Sequence, residues 1–348
     1  MVSRSMAKLW SLVCAGFSVF ASGSAAAQQL SAAWEWHEST GAVCRDGSPA
    51  GYYMRRSAFD DHLVVYLEGG GACFNSLTCG QNPAQATQQP GVEGIFADRE
   101  DNPVRSWNMV YVPYCTGDIY GGSRRNVSVS GVSGVQQFMG FKNLQLFVQQ
   151  IQKDLPDVSQ VLLTGVSAGG FGAIFNYSWI QESYGPTPVV LLDDSGVPLE
   201  DAYLRPCLQK TFRTLWGLND ALPKDCANCR NEDGGGLLGL ADYLKDRYGD
   251  SQQGAVLSTQ DATLRTFFGF SQNDCRVLIP GMAPALYEKA IQSVKANYLN
   301  ESVKTFIVPG TTHTFISSSR LYETNQGGQT LASWVSDLLK QSAQDRGP

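Results

Sequence analysis

The chain of 348 residues holds three histidines, at positions 37, 62 and 313. Chemistry that needs an imidazole must use one of them. Cations are also short: 26 Lys and Arg stand against 32 Asp and Glu, a net charge of −6. That balance excludes the basic face nucleic acid needs and leaves no long-range pull on anionic lipid. No G-x-x-x-x-G-K-[ST] loop is present, which argues against phosphoryl transfer. Cys226-x-x-Cys229 has no second C-x-x-C or H-x-x-x-H to complete a zinc set. The chain shows no internal repeat.

The N-terminus reads as an export signal. Arg4 and Lys8 give a positive start, Leu9 to Ala21 an apolar middle, and Ala25-Ala26-Ala27 a cleavage site before Gln28. The apolar stretch is short for a membrane span, so no stable anchor is expected once residues 1–27 are removed. A secreted or periplasmic location follows. Loss of Arg4 and Lys8 takes the net charge to −8, and Cys14 leaves with the signal. Eight cysteines remain: Cys44, Cys73, Cys79, Cys115, Cys207, Cys226, Cys229 and Cys275. An even number in an exported protein reads as disulfides, although spacing does not choose among the possible pairings.

Strand character recurs at His62–Leu67, Asn108–Pro113, Val161–Thr164, Val189–Leu192, Gly254–Ser258 and Val303–Val308. These runs are short and almost continuously apolar, as strands covered on both faces are. Helical patterns lie between them. Leu144, Phe147, Val148, Ile151 and Leu155 recur at spacings of three and four, and Leu155-Pro156 ends the segment. Further helices are expected at 169–183, 237–248, 282–299 and 328–342. The alternation predicts an α/β fold: a mostly parallel, α/β-hydrolase-like sheet with helices on both faces. Residues 28–348 read as one catalytic domain. Two stretches break its rhythm. Residues 75–106, rich in Asn, Gln, Pro and Gly, read as a long loop. Residues 197–236, with three cysteines, read as a disulfide-stapled insertion or cap reaching to about 250.

Gly165-Val166-Ser167-Ala168-Gly169 follows an apolar strand and precedes a helical pattern. A serine held there must adopt a strained backbone, and its neighbours two residues away must be small. The same glycines could simply ease a strand–helix junction. In the chain order serine, acid, histidine, the base falls after the last strand, at His313 in T-T-H-T. His62 opens a strand and reads as structural, and His37 lies near the mature N-terminus. The acid should follow a strand between Ser167 and His313. Asp193, Asp194, Asp261 and Asp274 qualify, and Asp261, one strand before the histidine strand, is favoured. It could equally cap the segment A-T-L-R-T-F-F. L-E-G-G-G at 67–71 offers backbone N–H groups at a strand end. Gly70, Gly71 and Ala168 would form an oxyanion hole.

L-E-G-G-G-A-C-F-N-x-x-x-C (67–79), N-M-V-Y-V-P-Y-C-T-G-D-I-Y-G-G (108–122), G-V-S-A-G-G (165–170) and D-S-G (194–196), in that order, resemble the pectin acetylesterase/Notum family of secreted α/β-hydrolases. The resemblance implies a Ser-His-Asp carboxylic ester hydrolase with no cofactor or metal, with Ser167, His313 and Asp261 as the triad. Animal members carry an aromatic residue after the two glycines where this chain has Gly71-Ala72, so a fatty-acyl substrate is not implied.

The leading expectation is a secreted serine esterase that deacetylates a polysaccharide such as pectin. Its partner is then an ester substrate, an acylated carbohydrate. Because an acidic protein gains nothing at long range from a polygalacturonate, Arg124 and Arg125 are expected to supply local binding. The alternatives are an esterase acting on a lipid, a polyester or a small ester, and a catalytically inactive hydrolase fold that serves as a binding module. Asn126, Asn176 and Asn300 begin glycosylation sequons by pattern alone.

Overall fold

A computed structural model describes Met1, residues 33–299 and residues 303–348. The export signal and the Asn300 sequon lie outside the described residues. The strands are β1 (Glu35–Val43), β2 (Pro49–Arg55), β3 (Leu63–Leu67), β4 (Asn108–Val112), β5 (Arg124–Ser128), β6 (Val135–Phe138), β7 (Val161–Val166), β8 (Val189–Asp194), β9 (Gln253–Ser258), β10 (Val303–Val308), β11 (Asn325–Gln326) and β12 (Gln329–Thr330). Eight of them form one sheet in the order β1-β2-β4-β3-β7-β8-β9-β10. From β4 through β10 neighbouring strands run parallel, while β2 lies antiparallel to both β1 and β4. The remaining four make two small ribbons, β5–β6 and β11–β12.

The six strands expected from the sequence are the six parallel ones. They are legible because both faces are covered, so few polar residues interrupt them. The β1–β2 hairpin was not anticipated. Its first strand, EWHESTGAV, is mostly exposed at the sheet's edge and carries no continuous apolar run.

The helices are α1 (Ser76–Gln81), α2 (Gly140–Asp154), α3 (Ala168–Tyr184), α4 (Pro206–Trp216), α5 (Gly239–Arg247), α6 (Ala262–Gln272), α7 (Pro284–Asn297), α8 (Arg320–Glu323) and α9 (Leu331–Leu339). They cover both faces of the sheet. Alternation along β3 sends Leu63, Val65 and Leu67 to a core shared with α2, α3, α6 and α7. Val64 and Tyr66 point to the opposite core, closed by α8 and α9 with Leu321, Trp334 and Leu338. The stretch 75–106, expected as loop, contains α1. Asn75 caps that helix by accepting the Thr78 N–H, and the Cys73–Cys79 bond staples it. Between β8 and β9 the chain makes the disulfide-stapled excursion that includes α4 and α5.

The eight cysteines form four disulfides: Cys44–Cys115, Cys73–Cys79, Cys207–Cys275 and Cys226–Cys229. Cys226 and Cys229 bond to each other, and Cys207–Cys275 ties α4 to the end of α6. Asn176 is buried inside α3 and donates to the Tyr120 and Gly172 carbonyls, so its sequon is not a surface site. No helix among the described residues is long and apolar enough to cross a membrane.

Cys44–Cys115 closes a separation of 71 residues and joins the β1–β2 hairpin to the loop after β4. Replacing both cysteines by serine is expected to lower unfolding stability by about 2–5 kcal/mol. Urea titration with an unchanged midpoint would show that this closure contributes nothing.

Candidate active site

The Ser167 backbone is forced by its neighbours. At the hand-over from β7 to α3 it has φ 56° and ψ −118°, a conformation a side-chain-bearing residue rarely adopts. Its N–H donates to the Asp194 carbonyl at 2.8 Å, and its own carbonyl accepts the Phe171 N–H at 3.1 Å. A Cβ on Gly169 would lie 1.9 Å from the Leu67 carbonyl oxygen, and one on Gly165 would lie 2.4 Å from the Gly169 oxygen. The two glycines therefore serve tight packing and the elbow at once; the two explanations weighed from the sequence are one geometry.

His313 lies in the loop after β10. Its Nδ1 is 2.7 Å from Asp261 Oδ2, with the aspartate fully buried. Asp261 Oδ1 accepts the Thr263 and Leu264 N–H groups, both at 2.9 Å, and so caps α6. Capping and contact with the histidine, considered as rivals, use different oxygens of one carboxylate. The loops that carry the pair are laced together. Thr259 N–H donates to Val308 O, Gln260 N–H to Gly310 O, and Ala262 N–H to Thr311 O. Ser258 Oγ donates to the Thr312 carbonyl.

The other candidates stand elsewhere. Asp274 is exposed and pairs with Arg205 at 3.1 Å. Asp193 is buried with neither carboxyl oxygen bonded, and burial, with Asp194 beside it, holds its proton far above the usual range. Asp194 has a job the sequence did not assign. Its Oδ2 accepts the Phe315 and Ile316 N–H groups at 2.6 and 2.8 Å, just beyond His313. Since its carbonyl also holds Ser167, this one residue ties the histidine loop to the elbow. His62 bonds Asp60 and stacks on Trp107, and His37 stacks on Tyr52. Neither lines the cleft described next.

Two cavities meet at Ser167 and Gly71. One is an open cleft of about 490 Å³ lined by Ser167, His313, Glu68, Tyr66, Tyr111 and Thr314, among others. The other is a narrow apolar pocket of about 40 Å³ with Phe171, Phe175, Phe212, Phe267, Phe268 and Leu264 in its wall. The structure brings Asp261 and His313 into contact, and places Ser167 and His313 on one cleft wall without a hydrogen bond between them. Such bonds are often loose before substrate binds.

The Gly69–Gly71 loop crosses beside the elbow. A Cβ on Gly69 would be 3.2 Å from that of Ser167. Gly71 has φ 79°, a value that suits glycine. The loop's carbonyls are tied back: Gly70 O accepts from Asn82 Nδ2 at 2.7 Å, and Gly71 O from the Tyr114 hydroxyl at 3.0 Å. The N–H groups of Gly70, Gly71 and Ala168 meet no backbone acceptor among the described residues. Arg124 and Arg125, expected to bind substrate, instead donate to the Thr214 and Gly41 carbonyls, and neither lines the cleft. The sequence contained Glu68 within L-E-G-G-G, yet nothing in the pattern showed that it would line this cleft.

A parallel sheet with an elbow serine at one strand end and a carboxylate–imidazole pair after the last two strands defines an α/β-hydrolase-like protein. A pectinacetylesterase family model matches residues 27–236, and the chain belongs to that family. It is similar to the palmitoleoyl-protein carboxylesterase NOTUM of Mus musculus, 32% identical over 187 residues, which are 49% of this chain and 35% of that protein. The Homo sapiens protein of the same name is 31% identical over 200 residues, 51% of this chain and 39% of its own. Palmitoleoyl-protein carboxylesterase notum1a of Danio rerio is 30% identical over 189 residues, 48% and 36% of the two chains. The chain thus spans well under half the length of these curated relatives. The family match includes Gly70, Gly71 and Ser167 and ends before Asp261 and His313.

Burial raises four carboxyls: Asp193 well above its ordinary range, Glu68 to about 7, and Asp118 and Asp194 to about 6, with hydrogen bonds opposing in the last three. Each binds its proton more tightly folded than unfolded. Their stabilising contribution is complete below about pH 4 and is lost as pH rises through 6 and 7. Asp46, Asp60 and Asp101 are shifted the other way, so their effect lies below the ordinary aspartate range. The thermal midpoint should therefore be higher at pH 5 than at pH 8. A midpoint that climbs steadily across that interval would contradict these shifts.

Proposed function

We propose that the protein is a carboxylic-ester hydrolase of the serine type. The observation that supports this best is the Asp261–His313 contact at one cleft wall with Ser167. Ser167 Oγ attacks the ester carbonyl while His313 Nε2 takes its proton. Asp261 holds Nδ1–H and stabilises the imidazolium. The carbonyl oxygen, now negative, receives the N–H groups of Gly70, Gly71 and Ala168. The C–O bond breaks, and His313 returns the proton to the departing alcohol. Water, deprotonated by the same imidazole, then releases the acid and regenerates the serine.

The substrate read from the two cavities is a small acyl group on a bulky alcohol. The 40 Å³ pocket suits an acetyl group, because a space of about 10–15 Å³ already admits a water molecule. The NOTUM relatives are named for a palmitoleoyl group, a long chain that this pocket does not hold as it stands. The open cleft of about 490 Å³ has room for a sugar unit. Deacetylation of an acylated polysaccharide, pectin among them, is the finer form of the proposal, and export through an N-terminal signal would bring the enzyme to it.

One observation favours a second reading, an esterase for longer or aromatic acyl groups. The pocket wall carries six phenylalanines around a narrow core, and rotation of those rings would lengthen it. A series of p-nitrophenyl esters from acetate to decanoate decides between the two. The acetyl reading expects kcat/KM to peak at two to four carbons, and a maximum at long chains would replace it. In the same assay Ser167→Ala should lose about 10³-fold or more of kcat with its fold intact. A fluorophosphonate probe should label the wild type and not the variant. Equal turnover by both proteins, or none by the wild type, would sink the esterase reading.

A further inference from the structure

The open cleft has a carboxyl in its wall, and its lining contains neither lysine nor arginine. That carboxyl belongs to Glu68, the residue directly after β3 and next to Gly69, whose backbone packs on Ser167. Glu68 is held in place. Its Oε2 accepts the Tyr114 N–H at 2.8 Å, and its backbone carbonyl accepts the Tyr120 hydroxyl at 3.0 Å. The Tyr111 hydroxyl lies against the carboxyl. Tyr66 and Tyr111 stack on each other beside it, with centroids 5.6 Å apart, and both rings are buried.

We propose that Glu68 selects the alcohol half of the substrate, so that the cleft takes an uncharged, hydroxyl-rich alcohol and discriminates against a polyanionic one. This rests on the esterase reading above and deepens it. The leaving alcohol must occupy the cleft, because the other cavity at Ser167 is apolar and narrow. A sugar hydroxyl can both donate to and accept from a carboxyl. A galacturonate carboxylate in the same place would meet Glu68 with no cation to separate the two charges. The pectin compatible with this site is then its esterified or neutral-sugar stretches.

The groups around Glu68 are Tyr66 and Tyr111 on its flanks, Tyr114 and Tyr120 from the loop after β4, and His313 elsewhere on the cleft wall. Burial holds the Glu68 proton up to about 7, with the Tyr114 and Tyr111 hydrogen bonds opposing. At pH 6 the carboxyl is largely neutral, and at pH 8 it is largely charged. Discrimination against an anionic alcohol should therefore grow across that interval.

The test compares wild type, Glu68→Gln and Glu68→Asp on acetylated xylan, acetylated polygalacturonate and p-nitrophenyl acetate, at pH 6 and pH 8 and one ionic strength. The wild-type ratio of kcat/KM on xylan to that on polygalacturonate should exceed one and rise about 3- to 10-fold between the two pH values. Added salt should shrink that rise. In Glu68→Gln the ratio should be smaller and flat with pH, and in Glu68→Asp the pH dependence should persist. A wild-type preference for polygalacturonate, a ratio that does not move with pH, or a Glu68→Gln variant that tracks the wild type would each overturn the proposal. Absence of p-nitrophenyl acetate turnover by the wild type would instead strike the esterase reading, so the two failures are distinguishable.

Discussion

The site depends on a positive-φ backbone at a single serine, held by a hydrogen bond to the next strand. Ser167 has φ 56°, and its N–H is anchored on the Asp194 carbonyl. The carboxylate of the same aspartate accepts two N–H groups from the histidine loop. Elbow and histidine therefore share one support. Strain of this kind costs of order 1–3 kcal/mol and persists only where the surroundings over-determine it. Here they do so through glycines at 165 and 169 that leave no room for any other residue. A displacement of β8 would move the hydroxyl and the imidazole together, which preserves their relation better than separate supports would.

The parallel strands were legible because burial on both faces removes polar residues from them. Ser167 was singled out by a glycine-boxed turn and His313 by the scarcity of histidine, and the fold sets both on one cleft. Asp261 was favoured because chain order and strand position narrow the choice to a few aspartates, and it is the one that bonds His313. What stayed hidden was whatever depends on contacts between distant segments. Asp194 reads as one of two adjacent aspartates, and only the fold shows that one bonds the histidine loop while its neighbour is buried without a partner. Glu68 reads as the acidic member of a glycine-rich turn. Arg124 and Arg125 read as free cations, yet they are committed to the Thr214 and Gly41 carbonyls. Edge strand β1 escaped notice because exposure leaves it without an apolar signature.

The two cavities that meet at Ser167 differ in almost every physical respect. One is narrow and aromatic, so a charged or strongly hydrated group would lose its water without recompense. The other is wide, and tyrosine, threonine and carboxyl groups give it donors and acceptors. On the proposed reading, an ester spanning them would be sorted by polarity before any bond is made, its acyl methyl toward the phenylalanines and its hydroxylated part toward the cleft.

Asp261 uses its two oxygens for two purposes, and this has a dynamic consequence. A free carboxylate samples many orientations about its terminal bond. Here a pair of amide protons from the first turn of α6 grips one oxygen, and the other can then point in a single direction. The helix acts as a vice on the rotor. The imidazole meets a lone pair whose angle is set when the chain folds, and that angle does not have to be found afresh each time a molecule enters.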